Sequence, residues 1–263
     1  MTIDQDSPDF VTSVARGLSV IRSFGKGSAT LALAEVAERT ELTRPTARRF
    51  LLTLEALGYV RTDGKRFWLA PKTLDLGYAF LSSMSIADIA HTSMHHVVET
   101  LNESCSMAVL DRNEIVYVAR VPPKHLMGLQ ISLGTRMPLY CNSVGRVLMA
   151  DMPAQELADY FAAVERPALT SRTVTDETAL RAALADVKQL GYALINQEVE
   201  EGLRAIAVPI RSREGRVVAG VSVGAHTGRM SREDMVEKVL PLLQECAGEI
   251  EHLLIRSDFK LGR

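Results

Sequence analysis

Residues 43–60 read TRPTARRFLLTLEALGYV and contain the signals for one well-defined helix. Thr43 is a preferred N-cap residue, and the proline two positions later falls in the first turn, where a missing N–H removes no helical hydrogen bond. An apolar stripe at helical spacing follows, made of Phe50, Leu51, Leu54 and Leu57. We therefore predict a helix that begins after Thr43, ends at Gly58 and keeps its arginine-bearing start clear of the stripe.

The segments on either side of this helix predict a winged helix-turn-helix. Upstream, apolar periodicity predicts helices over Val11–Phe24 and Leu31–Arg39, and a three-residue turn separates the second of them from Thr43. Downstream, Asp63-Gly64 is a strong signal for a tight hairpin. It separates two predicted short strands, Tyr59–Thr62 and Arg66–Leu69.

Two positions in this unit depart from ideal turn and cap chemistry. Glu41 stands in the turn where glycine is common, and a left-handed backbone at a residue with a Cβ costs about 1 kcal/mol. Ala32 falls at the start of the short helix and is a poor N-cap. The sequence leaves two alternatives there, that Thr30 caps the helix or that its first turn frays.

The charge distribution predicts that this unit contacts DNA. Residues 1–82 carry 11 Lys and Arg against 9 Asp and Glu, whereas the remaining 181 residues carry 19 against 23. The basic residues concentrate at the start of the third helix and on the hairpin, which is the arrangement that places a helix in the major groove and a wing on phosphates. The predicted contacts are Thr43, Arg44, Thr46, Arg48, Arg49, Lys65 and Arg66. A solvated helix face and a protein-binding winged helix are the alternatives.

The composition of the whole chain excludes several classes of protein. The 263 residues are 47% hydrophobic and 24% charged, which is near the globular average and sufficient for two domains. A formal net charge of −2 excludes a general polyanion binder. No apolar run reaches the ~18 residues of a membrane helix, and residues 1–10 are unlike a signal peptide. Three widely spaced cysteines without a CxxC pair predict a cytoplasmic protein without disulfides or a zinc site.

The rest of the chain predicts an α+β domain joined to the first by a linker helix. We place the DNA-binding unit at residues 1–70, the linker helix at 71–84 and the second domain at 85–263. After a helix that a capping box at Ser85–Asp88 opens, strands are predicted at Cys105–Leu110, Ile115–Arg120, Leu126–Leu133, Tyr192–Asn196, Leu203–Arg211 and Val217–Val223. Helices are predicted at Cys141–Met149, Pro153–Phe161 and Leu180–Leu190, and a last helix with the stripe Val236, Val239, Leu240, Leu243, Ala247, Ile250 and Leu253 follows Ser231. This order of elements predicts an antiparallel sheet with helices at its start and end. The domain is not a Rossmann unit, because no GxGxxG opens a helix after a strand.

One loop in this domain has the features of a carboxylate site. Residues 134–145 read GTRMPLYCNSVG, in which a proline-bearing loop enters a helix whose first turn holds Asn142 and Ser143. The free N–H groups at a helix start attract anions, and Arg136 is close enough in sequence to complete the site with a bidentate bond. The alternatives are ordinary N-capping by the two polar residues and a surface salt bridge for Arg136.

The same stretch does not indicate an enzyme. Cys141 with His125 or His91 is conceivable as a nucleophile and base, but Cys141–Gly145 lacks the first glycine of GxSxG. His95-His96 lacks the spacing of a metal site, and no paired carboxylates stand out. We expect no enzyme activity, no metal and no cofactor. A catalytic Cys141 and a ligand-binding module without DNA affinity remain as alternatives.

Several motifs resemble the IclR family of bacterial transcriptional regulators. Residues 43–60 resemble the recognition helix of that family, and LYCNSVGRVLMA at 139–150, GLRAIAVP at 202–209 and GVSVG at 220–224 are similar to its effector-domain signatures. The likeness extends from about Val11 to Leu254. The doubled Arg48-Arg49 and GTRMPLYC at 134–141 are most similar to the branch that regulates breakdown of aromatic acids through protocatechuate and β-ketoadipate.

The resemblance implies a winged helix-turn-helix joined to a GAF-like effector domain, acting on a pseudo-palindromic operator as a dimer or dimer of dimers. The effector pocket of the family, carried over by position, falls on Leu129, Met137, Ser143, Val144, Asn196, Ala205, Ser222 and Gly224. Ala205 and Gly224 replace a thiol and a hydroxyl that occur in small-acid binders, which enlarges the site as a ring-bearing acid requires. We add Arg136 for the carboxylate and Tyr140 for the ring. The alternative effector is a small acid such as glyoxylate or pyruvate.

Overall fold

The computed structural model describes residues 6–25, 27–83, 86–123 and 131–256, in two compact units, Met1–Ser83 and Met84–Arg263. Within the described ranges, no helix is both long enough and apolar enough to cross a membrane. Leu129, His125, Ser85 and most of the predicted strand Leu126–Leu133 lie outside the described residues.

The first unit is the predicted winged helix-turn-helix. Its elements are α1 (Thr12–Arg22), β1 (Leu31–Ala32), α2 (Leu33–Arg39), α3 (Arg44–Ala56), β2 (Val60–Thr62) and β3 (Arg66–Leu69). The wing has three antiparallel strands in the order β1-β3-β2, because Leu31 and Ala32 pair with β3 instead of starting the helix as predicted. A 3-10 turn at Pro71–Thr73 leads into α4 (Leu74–Ser83), where the linker helix is expected.

The core of this unit differs from the predicted stripes at the helix ends. In α3, Ala47, Leu51 and Leu54 are buried, whereas Leu57 caps the helix and is 53% exposed. In α1, Val20 is buried, but Val14 and Leu18, which the spacing predicts to be core residues, are more than half exposed. Periodicity identifies an apolar helix face but does not show whether another element of the same unit covers it.

The turn between α2 and α3 adopts the strained conformation that its sequence disfavours. Glu41 has φ +56°, and the next residue, Leu42, donates its N–H to the carbonyl of Ala37 at 3.0 Å. At the start of α2, the carboxylate of Glu35 accepts the N–H of Ala32 at 2.6 Å. Neither predicted alternative for that cap is correct, because Glu35 supplies the missing partner from three residues downstream.

Replacing Glu41 with glycine is expected to stabilise the first unit by about 0.5–1 kcal/mol, because relief of the left-handed strain exceeds the extra chain entropy of glycine. Urea unfolding followed by the fluorescence of Trp68, the single tryptophan, reports on this unit. A Glu41→Ala variant keeps the Cβ and should show no such gain. A midpoint for Glu41→Gly at or below that of the wild type would contradict the strain argument.

The second unit contains one antiparallel sheet of six strands in the order β6-β5-β4-β9-β8-β7. These strands are β4 (Ser104–Asp111), β5 (Glu114–Val121), β6 (Arg136–Pro138), β7 (Ala193–Asn196), β8 (Leu203–Arg211) and β9 (Val217–His226). The helices are α5 (Ile86–Leu101), α6 (Ser143–Asp151), α7 (Ala154–Ala163), α8 (Glu177–Leu190), α9 (Arg232–Asp234) and α10 (Leu240–Arg256).

Two predictions for this unit need correction. The described part of Leu126–Leu133 is not a strand, and Arg136–Pro138 pairs with β5 instead. A π-helical turn at Met235–Val239 joins α9 to α10 and shifts the phase of the apolar stripe. As a result, Met235 and Leu254 are buried, whereas Val236 and Leu253, both predicted in the stripe, are more than a third exposed.

Two glycines allow α6 to lie close to its surroundings. A Cβ at Gly145 would be 2.2 Å from the carbonyl oxygen of Leu139, and one at Gly220 would be 2.8 Å from a methyl carbon of Val144. Helix α6 therefore packs directly against β9 and against the loop that precedes α6. This close packing holds the start of α6, with Asn142 and Ser143, beside the centre of the sheet.

Candidate nucleic-acid interface and ligand cavity

The start of α3 presents its arginines to solvent. Thr43 accepts the N–H of Thr46 at 3.4 Å, and the two hydroxyls are 2.8 Å apart, so the predicted cap is present. The side chains of Arg44, Arg48 and Arg49 are exposed, and none of them forms an ion pair with another described residue. Three cations on the first turns of one helix can therefore approach an anionic surface without first breaking an ion pair.

The wing carries one exposed lysine and one tethered arginine. The carboxylate of Asp63 accepts the N–H groups of Arg66 at 2.7 Å and Lys65 at 2.9 Å, and these bonds lower the pKa of Asp63. The register places Gly64 and Lys65 at the tip, one residue later than predicted. The guanidinium of Arg66 donates to the carbonyl of Thr30 at 3.1 Å, so Lys65 is the freer of the two for a phosphate contact.

In the second unit, a small cavity lies between the start of α6 and the face of the sheet. Its volume is about 40 Å³, the space of two or three water molecules. The described residues around it are Ser104, Ser106, Tyr117, Arg120, Ile131, Met137, Cys141, Asn142, Ser143, Ile195, Val199, Leu203, Ala205, Ser222 and Gly224. Polar groups thus meet apolar walls, as in many ligand sites.

Strand register assembles the sheet side of the cavity. Arg120 on β5 pairs with Ser106 on β4, which in turn pairs with Ser222 on β9. Side chains that lie directly opposite one another point to the same face of a sheet. The neighbouring row joins Ser104 to Gly224 and Gly224 to Ala205. Small side chains across three strands therefore leave space in front of one arginine.

Arg120 is the only arginine or lysine among the described residues that line the cavity. Its Nη1 donates to the hydroxyl of Ser106 at 3.1 Å, and no described carboxylate forms an ion pair with it. Burial lowers the pKa of Arg120, but a guanidinium remains charged in proteins. A partly buried cation without a counter-ion favours binding of an anion.

A hydrogen-bonded pair, Asn142 at the start of α6 and Tyr117 on β5, also lines the cavity. The amide nitrogen of Asn142 donates to the Tyr117 hydroxyl at 3.1 Å, while its oxygen accepts the N–H groups of Val144 and Gly145 at 2.9 and 3.3 Å. Burial raises the pKa of Tyr117, so its hydroxyl stays protonated. Because Asn142 already occupies two N–H groups of α6, the helix start is less available to a carboxylate than the sequence predicts.

Six of the residues predicted for the effector site line the cavity, namely Met137, Asn142, Ser143, Ala205, Ser222 and Gly224. Four others are engaged elsewhere. Arg136 forms ion pairs with Asp111 and Glu114 at the sheet edge, so the surface salt bridge considered as its alternative is present.

The remaining three have clear structural roles. The Tyr140 hydroxyl donates to the carbonyl of Pro167 at 2.6 Å, Val144 packs against Gly220, and Asn196 accepts a hydrogen bond from Arg204 at 3.0 Å. Leu129 lies outside the described residues.

Sequence reasoning missed Arg120, Tyr117, Ser104 and Ser106. A usable signal existed, because an arginine at the end of an otherwise apolar strand is unusual unless it has a partner or a function. The alternation of Ser104 and Ser106 likewise places two hydroxyls on one face of β4.

Cys141 lines the cavity, but its surroundings disfavour a nucleophile. Burial, with a smaller contribution from the charge of Glu198, raises the pKa of Cys141 to about 11, so the thiol stays protonated. His91, one of the two bases considered for it, is an exposed residue whose ring lies 5.7 Å from that of His95.

Comparison with known proteins identifies both units. A family model described as the IclR helix-turn-helix domain matches residues 13–64, and one described as bacterial transcriptional regulator IclR C-terminal matches residues 78–252. The Pca regulon regulatory protein of Pseudomonas putida is 40% identical over 248 residues, which are 94% of this chain and 85% of that protein.

Two further relatives concern hydroxybenzoate. The p-hydroxybenzoate hydroxylase transcriptional activator of Acinetobacter baylyi is 33% identical over 94% of this chain and 93% of its own length. The crystal structure of an IclR homolog from Microbacterium hydrocarbonoxydans, complexed with 4-hydroxybenzoate, superposes with a TM-score of 0.83 at 25% identity, covering 93% of this chain and 99% of that one.

Proposed function

Because the chain belongs to the IclR family of bacterial transcriptional regulators, we propose that it senses an aromatic carboxylate and controls genes for the breakdown of such acids. As a member of that family it is a DNA-binding regulator with a C-terminal effector-binding domain. The observation that carries the proposal is the guanidinium of Arg120, which faces the cavity without a described counter-ion.

The chemistry of the cavity supports an acid with a ring. A carboxylate at Arg120 supplies the missing negative charge through charge-assisted hydrogen bonds. The apolar walls, which include Met137, Val199 and Leu203, suit a ring better than a polar chain. A ring hydroxyl could bond to the polar wall of Tyr117 and Asn142. Regulators with the names "Pca regulon regulatory protein" and "p-hydroxybenzoate hydroxylase transcriptional activator" agree with this class of effector.

One observation favours a second candidate effector. The cavity of about 40 Å³ is smaller than any of the candidate acids, and its walls must move apart less for an acid of two or three carbons than for one with a benzene ring. Met137 has three rotatable bonds and can make part of this space. Glyoxylate and pyruvate are therefore the alternative ligands to be tested beside the aromatic acids.

For DNA, we assign the contacts to Thr43, Arg44, Thr46, Arg48, Arg49, Lys65 and Arg66. A dimer or dimer of dimers would place pairs of α3 helices one helical turn, about 34 Å, apart on a pseudo-palindromic operator in the cytoplasm. We assign residues 71–84 to transmission between the two units. The acid can shift the equilibrium between the operator-binding state and the non-binding state only as far as its affinities for these two states differ.

A binding panel tests the proposed effector class. Isothermal titration with 4-hydroxybenzoate, protocatechuate, β-ketoadipate, glyoxylate and pyruvate should find at least one acid that binds and is recovered unchanged. The neutral analogue 4-hydroxybenzyl alcohol should bind at least about 30-fold more weakly than 4-hydroxybenzoate, because it lacks the charge that pairs with Arg120. Equal binding of the alcohol would contradict recognition of a carboxylate, and turnover of an acid would show an enzyme.

A further inference from the structure

A buried ion pair connects α6 to the loop of residues 197–202 between β7 and β8. Nη2 of Arg146 lies 2.6 Å from Oε2 of Glu198, and the two side chains are only 7% and 8% exposed. Desolvation makes such a pair a weak source of net stability. Its location therefore calls for a reason other than stability, and that location is beside the ligand cavity.

The pair links two elements that both contribute residues to the cavity wall, and neither member of the pair lines the cavity itself. Val199, the residue after Glu198, lines the cavity from the loop side. Ser143 lines it from the α6 side and is three residues from Arg146, which puts both on neighbouring positions of the same helix. Nε of Arg146 also donates to the carbonyl of Tyr140 at 2.9 Å, next to the cavity residue Cys141.

Residues 170–174 also hold the loop through hydrogen bonds. The hydroxyls of Thr170 and Thr173 donate to the carbonyls of Gln197 and Glu198 at 2.6 and 2.7 Å. The N–H of Val174 donates to Oε2 of Glu198 at 3.1 Å, the same oxygen that Arg146 contacts. Within the loop, Gln197 has φ +63°, a conformation that persists only where surrounding contacts maintain it.

We propose that Arg146 and Glu198 are positioning residues that hold the loop 197–202, and with it Val199, closed over the ligand cavity. Residues 170–174 hold the loop on another side, but it is the pair that connects α6 to the loop through the carboxylate of Glu198. Loss of the pair should loosen the loop, expose the cavity to solvent and weaken binding of the acid. The last consequence rests on the proposed function, whereas the opening of the cavity does not.

Cys141 provides a readout that needs no ligand. It lines the cavity and is fully buried, so a thiol reagent reaches it only when the wall opens. The nearby charge of Glu198 raises the pKa of Cys141, while that of Arg146 lowers it. Neutralising Glu198 or Arg146 therefore changes thiol reactivity in opposite directions if only charge matters, and in the same direction if the wall opens.

The experiment measures the rate at which N-ethylmaleimide labels Cys141 in the full-length protein, located by peptide mass. We expect Glu198→Gln, Arg146→Gln and the double variant each to increase the rate by about 10-fold or more through local opening. The double variant leaves no unpaired buried charge and keeps the test decisive if a single variant does not fold. A double variant that is labelled at the wild-type rate would overturn the proposal, and so would opposite changes in the two single variants.

A carboxylate on the same helix provides the matched control. Asp151 of α6 pairs with Arg211 at 3.3 Å and accepts the N–H of Val217 at 2.9 Å, but it does not line the cavity. Asp151→Asn should leave the labelling rate of Cys141 within about two-fold of wild type, because its partners Arg211 and Val217 do not line the cavity either. If Asp151→Asn increased the labelling rate as much as the Arg146 and Glu198 variants do, the protein would be loosened in general, and the specific role of the pair would be overturned.

Titration with 4-hydroxybenzoate separates this proposal from the proposed function. We expect the double variant to bind the acid about 5- to 20-fold more weakly, since an open loop must be ordered again on binding. If the wild-type protein binds no acid of the panel, the proposed effector class fails while the labelling result still stands. If the wild type binds and the double variant equals it in affinity and labelling, the proposed function stands and the role of the ion pair is wrong.

Discussion

Replacing Arg120 with glutamine is expected to weaken binding of 4-hydroxybenzoate by about 100-fold or more. Truncating one partner of a desolvated charge pair costs roughly 2–5 kcal/mol of binding free energy. Glutamine retains the polar end and most of the length of the side chain but removes the charge. The substitution therefore removes the guanidinium that faces the cavity and donates to Ser106. Isothermal titration measures the effect directly.

The unliganded protein should not be destabilised by this substitution. In the free protein, Arg120 is partly buried, forms no ion pair with a described carboxylate, and has a pKa that burial lowers. Removing a cation that is poorly solvated relieves a desolvation cost. The melting temperature of Arg120→Gln without acid should therefore equal or exceed that of the wild type, and the stabilisation by added acid should disappear.

Arg136→Gln is the matched control for this prediction. Arg136 belongs to the same sheet and was the sequence-based choice for the carboxylate, but it pairs with Asp111 and Glu114 at the edge. Its replacement should change the affinity for the acid by less than about two-fold, because Arg136 does not line the cavity. If Arg136→Gln lost affinity for the acid while Arg120→Gln bound it normally, Arg136 and not Arg120 would be the residue that binds the carboxylate.

The double substitution Arg48→Ala with Arg49→Ala is expected to weaken operator binding by about 100-fold or more at fixed salt. Loss of a base contact costs roughly 1–3 kcal/mol, and loss of a phosphate contact also reduces the salt dependence by about one unit of slope. Both side chains are exposed on the first turns of α3. Gel shifts at several salt concentrations measure both the affinity and the slope of its salt dependence. The DNA probe is the region upstream of the genes that neighbour the gene of this protein.

Arg213→Ala with Arg216→Ala removes the same charge from an exposed turn of the second unit. This control should leave both the operator affinity and the salt slope close to wild-type values. The Arg48/Arg49 variant should bind the acid normally, because its substitutions lie in the other unit. Unchanged operator affinity in the Arg48/Arg49 variant, or equal losses in the two double variants, would contradict docking through the start of α3.

Local chemistry explains why the first unit could be predicted well. The cap at Thr43 acts over three residues, and the Asp63 carboxylate orders the wing by accepting the N–H groups of Lys65 and Arg66. The strain at Glu41 could also be anticipated, because the turn between two helices leaves one position with φ above zero. The prediction that Val14, Leu18 and Leu57 are buried was wrong, because burial depends on neighbouring elements that the sequence pattern does not specify.

The ligand cavity shows where such reasoning ends. The motif at 134–145 correctly marked the start of α6, yet the arginine placed nearest in sequence, Arg136, lies at the sheet edge, and Arg120 from the preceding strand faces the cavity. Strand alternation could have suggested Arg120, but only the pairing of β5 with β4 and β9 brings it beside Ser106 and Ser222.

The amino-acid sequence was therefore enough to predict the helices, the hairpin, the basic start of α3 and the resemblance to the family. Caps, turns and periodicity act between residues only a few positions apart. Strand register and packing alone placed Arg120 at the cavity, where no described carboxylate pairs with it, and formed the Arg146–Glu198 contact, which spans 52 residues of sequence. Such contacts depend on which segments become neighbours when the sheet and α6 pack together, and no short stretch of sequence specifies these tertiary neighbours.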